Sequence, residues 1–212
     1  MATFQVQIED MVGIVGSSAD TSSDTAAITS WLTDGAKEVI NSMPPNLLAL
    51  CATEQALTPR AVGSESTAAT LNTGKVFNVR RSDGTIDQPC RLVSSRVKGR
   101  VSDPDDMDYA TATDPVYYIE SKYLNILPSA STAVGKYSEV QYPAVTYDLD
   151  AIATFPDEAE YLVVLYAAMK ASERIVSDNI RVDEDVELAN ARKDQYTWLQ
   201  NQYIAGLKAL SG

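Results

Sequence analysis

The segment from Phe155 to Val176 carries a helix signal with apolar residues on nearly every side. Pro156 suits a first helical position, where its missing N–H would have no partner in any case. Three acidic residues follow within one turn, and they place negative charge near the positive end of the helix dipole. Because apolar residues fill all nine positions from 161 to 169, other elements must cover this helix on more than one side. The segment therefore predicts a helical bundle or a subunit of an assembly.

Helical periodicity also marks both ends of the chain. Apolar residues recur at helical spacing from Thr3 to Val15, where Gly16 is the predicted stop. A second helix, with Asp24 or Ser23 as its predicted cap, ends at Pro44-Pro45 because neither proline can donate an N–H. The last predicted helix runs from near Asp183 to Leu210, which gives it a length of about 40 Å.

Between these helices, from Cys51 to about Tyr147, the sequence is typical of short strands separated by turns. The predicted strands are 54–58, 75–81, 88–93, 116–121, 123–127 and 136–142. Ser82-Asp-Gly84 is the predicted hairpin turn between the second and third of them. We therefore expect an α+β fold in which residues 1–51 and 148–212 form a helical bundle. A small antiparallel β domain, residues 52–147, is inserted into it.

The composition disfavours most enzyme classes. The chain has no histidine, which removes Ser-His-Asp and Cys-His nucleophiles, histidine bases and histidine metal sites. Cys51 and Cys90 lie in different predicted elements, so we expect reduced thiols rather than a disulfide or a metal clip. Carboxylate or lysine chemistry stays open. We expect no catalytic residue, no cofactor and no metal site, and synthesis in a reducing cytoplasm.

The charge balance argues against avid binding to DNA or insertion into a membrane. The chain has 17 basic and 29 acidic residues and a net charge of −12, whereas DNA binding needs clustered cations. We expect the one basic cluster, 91–100, to be a solvated strand edge and turn. The apolar run 161–169 is less than half of the roughly 20 residues that span a bilayer. No basic region followed by an apolar stretch marks a secretory signal at the N-terminus.

Two short motifs resemble ligand-binding loops but lack residues that such loops require at fixed positions. Residues 103–108, with the sequence DPDDMD, concentrate carboxylates that could bind calcium, but Met107 and Asp108 occupy positions that an EF-hand gives to an oxygen ligand and a glycine. An acidic turn is the better interpretation. Asn72-Thr-Gly-Lys75 has the Gly-Lys pair of a phosphate-binding loop, but Val76 replaces the required serine or threonine. We expect a loop that enters a strand.

The last predicted helix supplies the candidate interaction surface. Its apolar stripe is Val186, Ala189, Tyr196, Leu199, Tyr203, Leu207 and Leu210. Trp198 lies off this stripe, and an off-stripe tryptophan on an amphipathic helix favours a contact to another chain. The candidate interface residues are Trp198, Tyr203, Leu207 and Leu210.

Five segments together resemble one protein family. They are Trp31–Ile40, Met43–Pro45, Ser102–Asp106, Asp114–Tyr118 and Phe155–Ala168. They are spread in this order over residues 31–168, most of the length of the chain. The chain is similar to the head-to-tail adaptor proteins of tailed bacteriophages, also called connector or neck proteins. None of these segments is a catalytic signature.

The resemblance implies a structural virion protein in the head-tail neck, made in the host cytoplasm. Such adaptors assemble as a ring of about twelve copies below the portal, as closed symmetry allows. The implied partners are the portal protein, a tail or nozzle protein and further copies of the chain, and DNA passes through the channel without specific binding. The resemblance carries over no site residue, because the family function depends on interfaces. The interface elements that we expect are the helical ends, above all 183–210, and which face meets the portal stays open.

Three alternatives stay open. The chain could be a tail-completion or stopper protein in the same virion. It could be a virion protein that degrades peptidoglycan, for which two carboxylates about 5 to 10 Å apart across a cleft are required. It could also be a binding module that acts in the host.

Overall fold

The computed structural model describes residues 2–13, 21–57, 67–82, 87–128, 135–178 and 186–211. The chain divides into two compact units, one formed by residues 1–51 and 142–212 and the other by residues 52–141. The fold is α+β, as the sequence predicts, with helices from both ends of the chain in one unit and two sheets in the other. The second boundary lies at Tyr142 rather than at 148, and the Tyr142 hydroxyl donates to Asn41 Oδ1 at 3.1 Å within the helical unit.

The helical unit is built around its fourth helix in chain order. Its elements are α1 (Phe4–Val12), α2 (Thr21–Ser42), α3 (Pro45–Leu48), α5 (Asp157–Asp178) and α6 (Val186–Ser211), and α4 belongs to the other unit. Helix α5 packs against α1, α2 and α6. Ten of its side chains are buried, namely Ala159, Leu162, Val163, Val164, Leu165, Ala167, Ala168, Met169, Ala171 and Ser172. The predicted cover of this helix on more than one side is confirmed.

Two of the predicted helix ends are wrong. Helix α1 stops at Gly13, which has φ 84° and donates its N–H to Glu9 O at 2.7 Å, because a glycine in this conformation terminates a helix readily. Val15 and Gly16 lie outside the described residues. Helix α2 begins at Thr21, so Ser23 and Asp24 lie inside its first turn and do not cap it. Residues 21–24 contain no glycine or proline, so the helix can extend by about one turn toward the N-terminus, beyond the predicted cap.

The β unit contains two four-stranded sheets. Its elements are β1 (Ala52–Leu57), β2 (Thr67–Thr70), β3 (Val76–Ser82), β4 (Asp87–Pro89), β5 (Arg91–Leu92), a 3-10 turn (Ser95–Val97), α4 (Lys98–Ser102), β6 (Val116–Glu120), β7 (Tyr123–Leu127) and β8 (Gly135–Val140). The strand orders are β1-β8-β3-β4 and β2-β7-β6-β5. Strands β5 and β6 are parallel, and the other pairs are antiparallel. The long connection from 93 to 115 supplies the crossover that a parallel pair requires.

The two sheets share one core. Leu57, Val79 and Tyr137 come from the first sheet and pack with Leu124 and Ile126 from the second. The predicted strand 88–93 divides at Cys90, so that β4 joins the first sheet and β5 the second. Strand β2 lies where no strand was predicted. The predicted turn at Ser82-Asp-Gly84 falls largely on residues outside the described ones, although Ser82 pairs with Asp87.

The hairpin between β6 and β7 offers a first testable prediction. Its two loop residues, Ser121 and Lys122, have φ values of 51° and 67°, and Glu120 pairs with Tyr123 across them. Such a loop prefers glycine at its second position, since a side chain there is strained. Lys122→Gly is therefore expected to raise the free energy of unfolding by about 0.5 kcal/mol. Thermal denaturation followed by circular dichroism measures this. Lys122→Ala removes the same charge but keeps the strain, and equal stability of the two variants would contradict the prediction.

Candidate interaction surface

The structure separates the four residues of the predicted interface. Trp198 is 54% exposed, whereas Tyr203 is only 4% exposed. Leu207 and Leu210 are half-buried. Trp198 and Leu207 are nine positions apart, which places them on opposite sides of α6. Trp198 is therefore the only one of the four with a largely free side chain.

An apolar groove of about 600 Å³ lies between α3, α5 and α6. We call it the α5–α6 groove, and it is lined by Leu47, Glu158, Tyr161, Leu162, Leu165, Gln202, Ala205, Gly206, Ala209 and Leu210. The wall that α6 contributes consists largely of small side chains. Gly206 allows α6 to approach α5, because a Cβ at this position would overlap Leu162 Cδ2. Small residues on α6 and larger apolar ones on α5 together shape the groove.

Trp198 extends the same face of α6 toward the helix start. Trp198, Gln202, Ala205 and Ala209 follow one another at spacings of four, three and four, which keeps them on one side of a helix. All four are exposed. Tyr161, which is 50% exposed, faces the groove from α5. Trp198 and the groove therefore share one side of α6.

Charge is distributed unequally between the two units. The helical unit has 7 basic and 18 acidic residues, a net charge of −11, and the β unit has 10 and 11, a net charge of −1. Glu158 is the only charged residue that lines the α5–α6 groove, and Asp157 beside it is also exposed. The groove thus lies in the strongly acidic part of the chain.

Helix α6 is fixed to α1 by two polar side chains. Arg192 Nη1 donates to Val12 O at 2.8 Å and to Gln195 Oε1 at 3.0 Å, and Gln195 Nε2 donates to Met11 O. A cation is favourable at a helix C-terminus, where the last carbonyls lack intrahelical partners. Sequence reasoning missed both residues, because only the fold brings them to the end of α1.

Tyr203 belongs to the core of the helical unit. Its ring lies 5.8 Å from that of Tyr166, at a tilt of 59°. Burial is the main cause that raises the pKa of Tyr203 well above its usual range, and the Glu38 carboxylate raises it further. Gly35 on α2 leaves room for Tyr166, since a Cβ there would lie 2.9 Å from Tyr166 Cδ1. These contacts assign Tyr203 to packing within one chain.

The loop that resembles a phosphate-binding loop holds a carboxylate of the chain itself. Glu139 is fully buried, and its Oε1 accepts hydrogen bonds from the amides of Thr73 at 2.7 Å and Gly74 at 2.9 Å. Gln141 Nε2 donates to Glu139 Oε2 at 3.1 Å. Residues 72–75 lead into β3, as predicted, and the amides of Thr73 and Gly74 already donate to the Glu139 carboxylate.

The charged segments of the β unit pair with one another. Arg100 lies 3.1 Å from Asp106 and 2.8 Å from Asp108, and the hydrogen bond to Arg100 is the main cause that lowers the pKa of Asp106. Arg91, on the edge strand β5, lies 3.2 Å from Asp114. The described part of the chain contains no group of three or more metal-ligating residues. Residues 103–108 form the predicted acidic turn.

The two cysteines are free thiols in different units. Cys51 is buried, and its Sγ lies 3.8 Å from Met43 Sδ. Burial raises the pKa of Cys51, and it raises the pKa of Cys90 to about 12 against the opposing effect of Arg81. Both thiols are therefore protonated at neutral pH and poorly nucleophilic.

Among the carboxylates in the described part of the chain, Glu160 comes closest to the requirements of a general acid. Burial raises its pKa, although the hydrogen bond from the Ile152 amide, 3.1 Å long, lowers it. Asp157 and Asp150 raise it slightly by repulsion. The bond to Ile152 ties the preceding loop to the first turn of α5. This contact gives Glu160 a structural role.

No known protein family and no curated protein matches this chain. Among the helices that the structure describes, none is long and apolar enough to cross a bilayer.

Proposed function

We propose that the protein is a head-to-tail adaptor of a tailed bacteriophage, a structural component that binds the portal and docks a tail or nozzle protein. The observation that carries this proposal is the exposed apolar face of α5 and α6. Trp198, Tyr161 and the α5–α6 groove lie together on it. An exposed tryptophan beside an apolar groove is typical of a protein interface. The resemblance of five segments to the adaptor family supports the same function.

The charge distribution suits a ring through which DNA passes. The net charge of −11 belongs to the helical unit, and acidic surfaces repel the phosphates of DNA. DNA would then move through the channel without adhering to its wall. The resemblance implies a ring of about twelve copies, an arrangement that closed symmetry allows.

Native mass spectrometry of the protein mixed with the portal ring of the same virus tests this function. The expected result is a complex with about twelve added copies. Trp198→Ser is expected to weaken the complex by about tenfold or more, as the loss of a central tryptophan does at interfaces. Ile204→Ser is the matched control, because Ile204 is 41% exposed and lies about 120° around α6 from Trp198, outside the groove lining. Absence of a complex in salt that keeps the portal intact would contradict the direct adaptor function.

Binding to the portal and a zymogram together separate two of the alternatives. A tail-completion or stopper protein binds a preformed adaptor ring and not the bare portal. A peptidoglycan-degrading protein lyses cell-wall material in a zymogram, and a change such as Glu160→Gln abolishes the lysis. Lysis of this kind would overturn the structural interpretation.

A further inference from the structure

We propose that the α5–α6 groove binds an amphipathic helix of a different protein, one that carries lysine or arginine beside its apolar face. This inference rests on the proposed function, since it names the chemistry of the partner that docks on this surface. Three features of the groove support it: its length, its lining and its charge.

The length of the surface matches a short helix. Trp198 and Ala209 mark its two ends on α6 and are eleven residues apart, which corresponds to about 17 Å along a helix. An amphipathic helix that binds a groove inserts anchors at positions i, i+3 or i+4, and i+7, which span about 11 Å. The face from Trp198 to Ala209 is therefore long enough for three anchors.

The lining favours apolar side chains over a small polar ligand. Only Glu158, Tyr161 and Gln202 offer polar side-chain atoms, and the other seven lining residues are aliphatic or glycine. Small-molecule sites combine an apolar wall with several convergent polar groups that fix one orientation. Here Leu162 and Leu165 are 3% and 1% exposed and form an apolar floor. Leucine-sized anchors fit such a floor.

The acidic charge around the groove favours a basic partner. Glu158 lies in the groove and Asp157 is exposed beside it, in a unit whose net charge is −11. A second copy of the chain would bring another −11 to a symmetric contact at this groove, and like charges repel at such an interface. A helix with lysine or arginine at its flanks is attracted instead. The occupant is therefore a basic helix from another protein.

The test uses a synthetic helical peptide of roughly 18 residues, with leucine at the anchor positions and lysine at the flanks. A second peptide of equal length carries glutamate in place of lysine. Trp31→Phe leaves Trp198 as the sole tryptophan, and its fluorescence reports occupancy of the groove. The lysine peptide is expected to shift the emission to shorter wavelength and to bind about tenfold or more tighter than the glutamate peptide at low salt. Equal affinities, or no binding by either peptide, would overturn the inference.

Two substitutions on neighbouring residues localise the binding. Ala205→Arg places a bulky cation in the groove at an exposed position. It is expected to lower the affinity for the lysine peptide by about tenfold or more. Ile204→Arg adds the same group about 100° around α6 from Ala205, outside the groove lining, and is expected to leave the affinity unchanged. Equal losses in both variants would overturn the inference. So would self-association of the protein in analytical ultracentrifugation that Ala205→Arg abolishes, since the groove would then hold a second copy.

The outcome is distinguishable from that of the proposed function. If the protein binds the lysine peptide selectively but forms no complex with the portal ring, the groove binds a basic helix and the adaptor function is contradicted. If Ala205→Arg leaves the complex with the portal ring intact, the adaptor function is supported. The inference that the groove is the docking site is then overturned.

Discussion

Replacing Glu139 with alanine is expected to lower the free energy of unfolding of the β unit by about 3 kcal/mol. The carboxylate is fully buried and accepts hydrogen bonds from the amides of Thr73 and Gly74 and from Gln141 Nε2. Alanine removes all three acceptor contacts and leaves the two amides without their partner. The cost of such unpaired groups exceeds the gain from no longer burying a charge.

Glutamine at this position provides the matched control. Glu139→Gln keeps an oxygen for the amides of Thr73 and Gly74 but loses one hydrogen bond, because Gln141 Nε2 cannot donate to the new NH₂ group while Gln141 Oε1 accepts from Asn72. The expected loss is therefore only about 1 kcal/mol. Hydrogen exchange measured by NMR reports on the contact directly, since the amides of Thr73 and Gly74 are expected to exchange about a hundredfold faster in the alanine variant. Unchanged exchange of these two amides would contradict this role of Glu139.

Local signals explain which elements the sequence predicts correctly. Helix α5 combines a proline, a first turn rich in acids and a long apolar run, and it forms from Asp157 to Asp178. Strands β6 and β7 are dense in aromatic and β-branched residues and form where they were predicted. In these segments propensity, charge and burial all favour the same structure.

Tertiary context decides the elements that the sequence does not predict. Strand β2 has the sequence TAAT and forms by pairing with β7, which local preference alone does not indicate. Cys90 separates two strands because its neighbours pair in different sheets, and only the sheet order reveals this. The role of Glu139 also depends on the fold, since residues 73 and 139 are far apart in the sequence.

The candidate surface is predictable only in part. The helical stripe correctly separates Trp198 from the apolar residues of α6, and Trp198 is indeed exposed. The same stripe includes Tyr203, which the structure places in the core against Tyr166. The groove could not be predicted, because it requires Gly206 on α6 to approach Leu162 on α5. A pattern along one helix carries no information about the partner helix.

Truncation of two neighbouring residues on α6 is expected to change the stability by very different amounts. Leu199 is fully buried, and Leu199→Ala is expected to lower the free energy of unfolding of the helical unit by about 3 kcal/mol, through lost apolar contacts and the cavity left behind. Trp198 is 54% exposed, and Trp198→Ala is expected to change it by less than about 0.5 kcal/mol. Urea unfolding followed by circular dichroism measures both variants.

The comparison assigns Trp198 either to an interface or to the core. If Trp198→Ala leaves the stability unchanged and weakens the complex with the portal ring, its large apolar side chain acts in contact with another chain, as side chains at interface centres do. If Trp198→Ala instead destabilises the isolated protein while the complex still forms, the side chain serves packing alone. Leu199→Ala is the reference for that second result, since its effect on assembly follows only from the loss of folded protein. Because Trp198 and Leu199 are adjacent on one helix, a difference between them reflects the face that each occupies and not a general change in α6.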